Sequence, residues 1–201
     1  HRVISVDIKE GDIIADLSTA EGRQAAIDGV RALAPGGLDA FIPCAGLPPV
    51  VKPWSLIAKV NYFAVIATVE GLRDLVAKKK GGILLVSSNS APIIGTDDPF
   101  VQACLSGDEA AACELVESRD GQTAYGGSKR AATIWMRSHV VEYAADGVRM
   151  NAVAPGITMT PLTARVMADE EYGPAIKAFG DTVPVGVNAQ PADIANVMRF
   201  M

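Results

Sequence analysis

Runs of apolar residues too short for helices alternate along this chain with longer stretches in which apolar positions recur every three to four residues. The short runs fall at 3–6, 13–15, 38–44, 83–86 and 148–153 and predict strands. Helical spacing covers 20–33, 53–80 and 123–145, and 194–201 reads as an unfinished helix. The punctuation agrees. Ser18 or Thr19 supplies an N-cap for the first helix, with Glu21 in its first turn, and Pro35-Gly36-Gly37 breaks the chain before the third strand. The second helix starts near Pro53 and closes on Lys78-Lys79-Lys80 ahead of Gly81-Gly82. Strands apolar on both faces belong to a parallel sheet covered on both sides. Their alternation with helices predicts a doubly wound α/β sheet with right-handed crossovers. Ligands of such sheets bind at the carboxyl ends of the strands, where the polar residues of this chain collect.

Composition narrows the possibilities. The 201 residues are 49% hydrophobic and 20% charged, enough apolar material for a single domain with a sizeable core. A formal net charge of −5 excludes sequence-independent nucleic-acid binding, which needs a cationic face. No uninterrupted apolar run reaches the roughly 18–20 residues of a membrane span, so no membrane partner is expected. Cys44, Cys104 and Cys113 form neither a disulfide framework nor a metal-ligand spacing, and with only His1 and His139 beside them no metal site is expected. Unpaired cysteines fit a reducing, cytoplasmic location. The first residues already lie in a strand pattern and the last in a helical one, so the sequence is expected to be part of a longer protein.

The strand ends carry the candidate chemistry. Asp7 closes the first strand; there an acidic residue either accepts hydrogen bonds from an adenosine ribose and repels a 2′-phosphate, favouring NAD over NADP, or simply caps a strand. Asp16-Leu17 is placed to hold an adenine edge or to begin a helix. Cys44-Ala45-Gly46 is small enough for a nucleotide to approach, and equally a plain turn. Tyr125 and Lys129 form a YxxxK pair on one helix face. A free phenol, with a pKa of about 10, exchanges protons poorly at neutral pH. A neighbouring ammonium favours phenolate, and lowering the phenol to roughly 7–8 is expected of Lys129 together with an oxidised nicotinamide. Ser88, just past the strand at 83–86, reaches the same crevice to polarise a carbonyl, or satisfies a turn.

As an ordered set these residues resemble the short-chain dehydrogenase/reductase family. The order runs Asp7, Asp16-Leu17, Ala45-Gly46, Asn61, Ser88, Tyr125-Gly126-Gly127-Ser128-Lys129 and Asn151-Ala152-Val153-Ala154-Pro155-Gly156-Ile157-Thr158-Met159-Thr160. The stretches Ile14 to Arg23, Cys44 to Leu47 and Val60 to Phe63 bring it closer to the bacterial 3α-hydroxysteroid dehydrogenase/carbonyl reductases. The resemblance implies a Rossmann-type fold, NAD as cofactor and a small hydrophobic alcohol or ketone as substrate. It makes Tyr125 the general acid/base, Ser88 the group that polarises the carbonyl, Lys129 the ligand of the nicotinamide ribose, and Asn61 the holder of a relay water. Pro155, Gly156, the Ile157 backbone and the Thr160 side chain are expected to fix the carboxamide.

The chain also departs from the family pattern. The opening strand with its glycine-rich turn and the closing strand are absent from this sequence, so weak cofactor binding is expected of these residues alone. Residues 97–121 are extra and helical, with Asp108, Glu109, Glu114 and Glu117. They either obstruct the helix packing through which relatives form tetramers, leaving a homodimer, or form a solvated excursion. Residues 157–186 occupy the position of the family's substrate lid. There Met159, Leu162, Val166, Met167, Tyr172, Ile176 and Phe179 provide an apolar wall or the core face of one helix. The expected function is an NAD(H)-dependent dehydrogenase of secondary alcohols, including hydroxysteroids. The alternatives are a 3-oxoacyl thioester reductase or a catalytically silent nucleotide sensor.

Overall fold

Thr19 accepts a hydrogen bond from the Gly22 N–H at 3.0 Å and starts helix α1, Ala20–Leu33, where the cap signal places it. A computed structural model describes residues 2–201; His1 lies outside the described residues. The strands are β1, Val6–Asp7; β2, Ile13–Ile14; β3, Ala40–Phe41; β4, Gly82–Val86; and β5, Arg149–Val153. β1 pairs with β2, and β3-β4-β5 form a second sheet; every pairing is parallel.

Among the described residues the expected sheet is therefore in two pieces. A slot of about 880 Å³ lies between them, with Val3 and Val6 on one side, Ala40 and Ile42 on the other, and Val30 and Val65 at its base. β1 and β3 border this slot and keep two residues each, where the apolar runs at 3–6 and 38–44 predict longer strands. Apolar sequence becomes strand only where a neighbour completes the hydrogen-bond ladder, as β4 and β5 do over five residues each.

The stretch expected as one helix at 53–80 is three elements: α2, Trp54–Ala58; a π-helical turn, Lys59–Phe63; and α3, Ala64–Lys78. By length and composition Trp54–Lys78 would suit a membrane crossing, which amends the reading of the bare sequence. However, 56% of its most apolar 18-residue window is buried inside the protein, and Ile57, Val69 and Val76 are fully covered.

Residues 97–121 contain α4, Pro99–Leu105, and α5, Glu109–Glu117. They are no solvated excursion, because Phe100, Val101, Cys104 and Val116 are completely buried in the main core. Helix α6, Gly121–Ala145, packs against α4, α2 and β5, while α5 packs on α2 and α4. Beyond β5 come α7, Pro161–Met167; α8, Gly173–Asp181; and α9, Pro191–Phe200. Of the apolar residues at 159–179, Leu162, Val166 and Met167 thus lie on one short helix and Ile176 and Phe179 on another, with Met159 and Tyr172 just ahead of them. Val166 is buried, whereas Leu162 and Phe179 remain exposed.

Candidate active site

Asp120 caps α6 by accepting the Thr123 N–H at 2.7 Å, and the helix sets Tyr125 and Lys129 one turn apart. The two glycines between them permit close approach. A Cβ on Gly126 would stand 3.1 Å from the Ser90 carbonyl oxygen, and one on Gly127 2.7 Å from the Phe100 ring. Bare backbone therefore lets this turn press against α4 and the loop after β4. Ser88 is buried in that loop, where its hydroxyl accepts the Ser90 N–H at 3.1 Å, donates to Asn89 Oδ1 at 3.4 Å and neighbours the Tyr125 phenol.

Lys129 is buried, and its Nζ donates to the Val86 carbonyl at 2.8 Å. A Cβ placed on Gly46 would lie 3.8 Å from that Nζ and 3.5 Å from Asn61 Oδ1, so these three residues share one corner. The π-helical turn presents Asn61 there; such turns are rare and recur at functional sites. Asn61 accepts the Leu47 N–H at 2.7 Å and donates to the Leu47 carbonyl at 2.9 Å, which pins the loop after β3 beside Lys129. Sequence reasoning missed both the π turn and the Leu47 clamp, and no residue pattern announces either.

The electrostatics differ from the expectation. Burial raises the Tyr125 phenol above its ordinary value, and the neighbouring Ser88 hydroxyl offsets only part of that rise. Burial also pushes Lys129 down to about 8, with nearby Cys44 acting in the opposite direction. The chain's own groups therefore do not make the phenol acidic. Lys129 is itself penalised as a cation, and it is not among the groups that shift the phenol.

The loop after β5 is tied to the Ser88 loop, since the Asn89 N–H donates to the Pro155 carbonyl at 3.0 Å. Gly156 and Ile157 line a cavity of about 480 Å³ together with Asn89, Phe179 and Val183; Asn89 is a second residue that sequence reasoning missed. The Ile157 carbonyl accepts the Ala189 N–H at 2.9 Å. Thr160 is the N-cap of α7, with its hydroxyl accepting the Thr163 N–H at 3.2 Å and directed to the Thr163 hydroxyl.

Asp7 and Asp16 stand apart on the two-stranded piece. The Asp7 carboxylate accepts the Lys9 N–H at 2.8 Å and the Glu10 N–H at 3.4 Å, and these bonds hold it below the usual carboxylate range. Ser18 does the same for Asp16, with an N–H bond of 2.9 Å. Leu17, Cys44 and Ala45 line the slot, so it runs from the Asp16 loop to the corner of Gly46 and Lys129. Among the described residues, no group of three or more His, Cys, Asp or Glu is placed to hold a metal ion.

Known proteins resemble this chain in sequence and fold. The chain is 37% identical over 208 residues to the 3-alpha-hydroxysteroid dehydrogenase/carbonyl reductase of Comamonas testosteroni, covering 100% of this chain and 79% of the relative. A crystal structure of the 3-alpha-hydroxysteroid dehydrogenase from Pseudomonas sp. B-0831, complexed with NADH, superposes with a TM-score of 0.95 at 38% identity, again over 100% of this chain and 79% of that one. A vibriobactin-specific 2,3-dihydro-2,3-dihydroxybenzoate dehydrogenase of Vibrio cholerae is 28% identical over 82% of this chain, which spans 59% of that protein. A family model described as enoyl-(acyl carrier protein) reductase matches residues 111–201. The chain belongs to the short-chain dehydrogenase/reductase family, with the Rossmann-type fold of that family, and is an oxidoreductase.

Proposed function

We propose that this chain interconverts a secondary alcohol and a ketone with NAD(H), and that its substrates are hydroxysteroids or carbonyl compounds of similar bulk. The observation that carries this reading is the buried Ser88 hydroxyl beside the Tyr125 phenol, one helical turn from buried Lys129. Two hydroxyls so placed can converge on a single further oxygen, as the carbonyl of a substrate requires.

The residues fit the cofactor. Lys129 has three N–H donors and gives one to Val86, which leaves donors for ribose hydroxyls. Asp7 is exposed and held ionised, suited to accept from an adenosine ribose and to repel a 2′-phosphate. Asp16, Leu17, Cys44, Ala45 and Gly46 provide the path between these ends. Pro155, Gly156, Ile157 and Thr160 are assigned to the carboxamide end, because the Asn89–Pro155 bond sets their loop beside Ser88. NAD(H), when bound, supplies or accepts the hydride.

The chain's own residues handle the proton. Ser88 donates a hydrogen bond to the carbonyl oxygen, and Tyr125 delivers its phenolic proton to the same atom during reduction. A phenol kept protonated by burial is suited to that acid step. In the oxidative direction Tyr125 takes the alcohol proton. Lys129 and the remaining N–H and lone pair of Asn61 offer the route by which that proton reaches water. The 480 Å³ cavity beside Asn89, with the exposed side chains of Leu162 and Phe179, provides apolar room for a bulky substrate under a lid at 157–186. We assign one domain over 1–201 and read 97–121 as an insertion. Because α4 and α5 cover sides of α2 and α6, we also propose a homodimer. The free cysteines accord with a cytoplasmic setting.

The test is the NADH absorbance of the full-length protein with NAD and a panel of 3-hydroxysteroids, aliphatic secondary alcohols and, with NADP, 3-hydroxyacyl thioesters. Turnover of a steroid or aliphatic alcohol with NAD is expected. Turnover of thioesters alone would contradict the reading and favour a 3-oxoacyl thioester reductase. NADH binding with no turnover of any substrate would identify a silent sensor.

A further inference from the structure

We infer that Glu109 of α5 is a positioning residue for the adenine end of the cofactor site, acting through Arg23. Arg23 lies on α1 and is only 7% exposed. Its Nε donates to the Leu17 carbonyl at 2.9 Å, and its Nη2 reaches the Ser18 carbonyl at 3.4 Å and the Lys59 carbonyl at 3.3 Å. Nη1 and the same Nη2 meet the two carboxylate oxygens of Glu109, at 2.7 and 2.9 Å, in a bidentate pair. One guanidinium thus joins four elements: the Asp16–Ser18 loop, α1, the start of the π-helical turn, and α5.

A carbonyl cage orients a guanidinium but does not neutralise it. Glu109 supplies the opposite charge, and an Arg buried without it would turn toward water and release the Leu17 and Ser18 carbonyls. The loop that Arg23 holds is the one assigned to adenine, while Lys59 is the first residue of the turn that presents Asn61. The segment at 97–121 therefore reaches the nucleotide site through Glu109 in addition to filling the core. Its other end is fixed separately, since Glu117 Oε1 accepts the Ser55 N–H at 2.6 Å, away from the adenine loop. Attachment of α5 and control of the loop can thus be separated.

The inference rests on the NAD reading above, and the experiment separates the two. Dissociation constants for NADH and for ADP-ribose, which keeps the adenine end and lacks the nicotinamide, are measured on the full-length protein and on Glu109→Gln and Glu117→Gln. If the unaltered protein binds no NADH, the NAD reading itself fails. If it binds, Glu109→Gln is expected to weaken NADH and ADP-ribose by the same factor, about tenfold. KM for NAD rises by that factor while kcat stays within about twofold, and Glu117→Gln leaves all of these values unchanged. Equal affinities in Glu109→Gln and the unaltered protein, or an equal loss in Glu117→Gln, would overturn the inference. Should Glu109→Gln fail to fold, Glu109→Asp is measured instead; it keeps the charge but shortens the reach, and the same equal loss for both ligands is expected.

Discussion

The two halves of the site are built differently. Around β4, β5 and α6, Ser88, Lys129 and Asn61 are buried and held by specific partners: Ser88 by the Ser90 N–H and Asn89 Oδ1, Lys129 by the Val86 carbonyl, and Asn61 by Leu47 in both directions. Around β1, β2 and α1, the acidic residues assigned to the nucleotide are exposed and hold only local backbone N–H groups. The strands there are two residues long and face a slot. Proton transfer requires donors fixed within tenths of an ångström, which buried packing supplies. Ribose recognition needs a charge at a strand end, and a local turn is enough to provide it.

Variants in the two halves should therefore fail in different ways. Tyr125→Phe removes the proton carrier without disturbing the nucleotide half. Turnover is expected to fall roughly a thousandfold with NADH affinity retained, read by steady-state rates and fluorescence titration; comparable rates would refute the role of Tyr125.

A stability effect follows from Lys129. Its folded value of about 8 lies below the ordinary lysine value of 10.5. Between these pH values the unfolded chain binds more protons, so stability rises with pH across that window. The cost of burying the charge is present in full below about 8. Lys129→Met is thus expected to gain stability relative to the unaltered protein at pH 7 and to lose that relative gain towards pH 10.5, by up to about 3 kcal/mol. A relative stability that does not vary with pH in chemical denaturation would contradict the burial of a charged Lys129.

The smallest effect belongs to the exposed half. Asp7→Ala should raise KM for NAD about tenfold and narrow the preference for NAD over NADP, with kcat nearly unchanged. A loss of kcat instead would show that the two halves are not separable.

What the sequence discloses follows the same division. Helix α1 is legible to the residue, because Thr19, Glu21 and the Pro35-Gly36-Gly37 break act locally. The YxxxK spacing locates Tyr125 and Lys129, and strand-end position finds Ser88, because both rest on regular geometry. The slot is not legible, since an apolar run does not say whether a neighbour completes its ladder. Nor is the π turn at Asn61, where Lys59 to Phe63 carry no residue that excludes an ordinary helix. The raised phenol escaped because sequence spacing counts an ammonium one turn away but not the desolvation of both groups. Arg23 and Glu109, 86 positions apart, form a pair that only the fold brings together.

The central claim is that Ser88 and Tyr125 share one substrate oxygen, and a structure of the full-length protein with NADH and a ketone tests it most directly. The claim requires the carbonyl oxygen to lie within about 2.6–3.2 Å of both the Ser88 hydroxyl and the Tyr125 phenol. A carbonyl oxygen in contact with neither hydroxyl, or with only one of them, would contradict it.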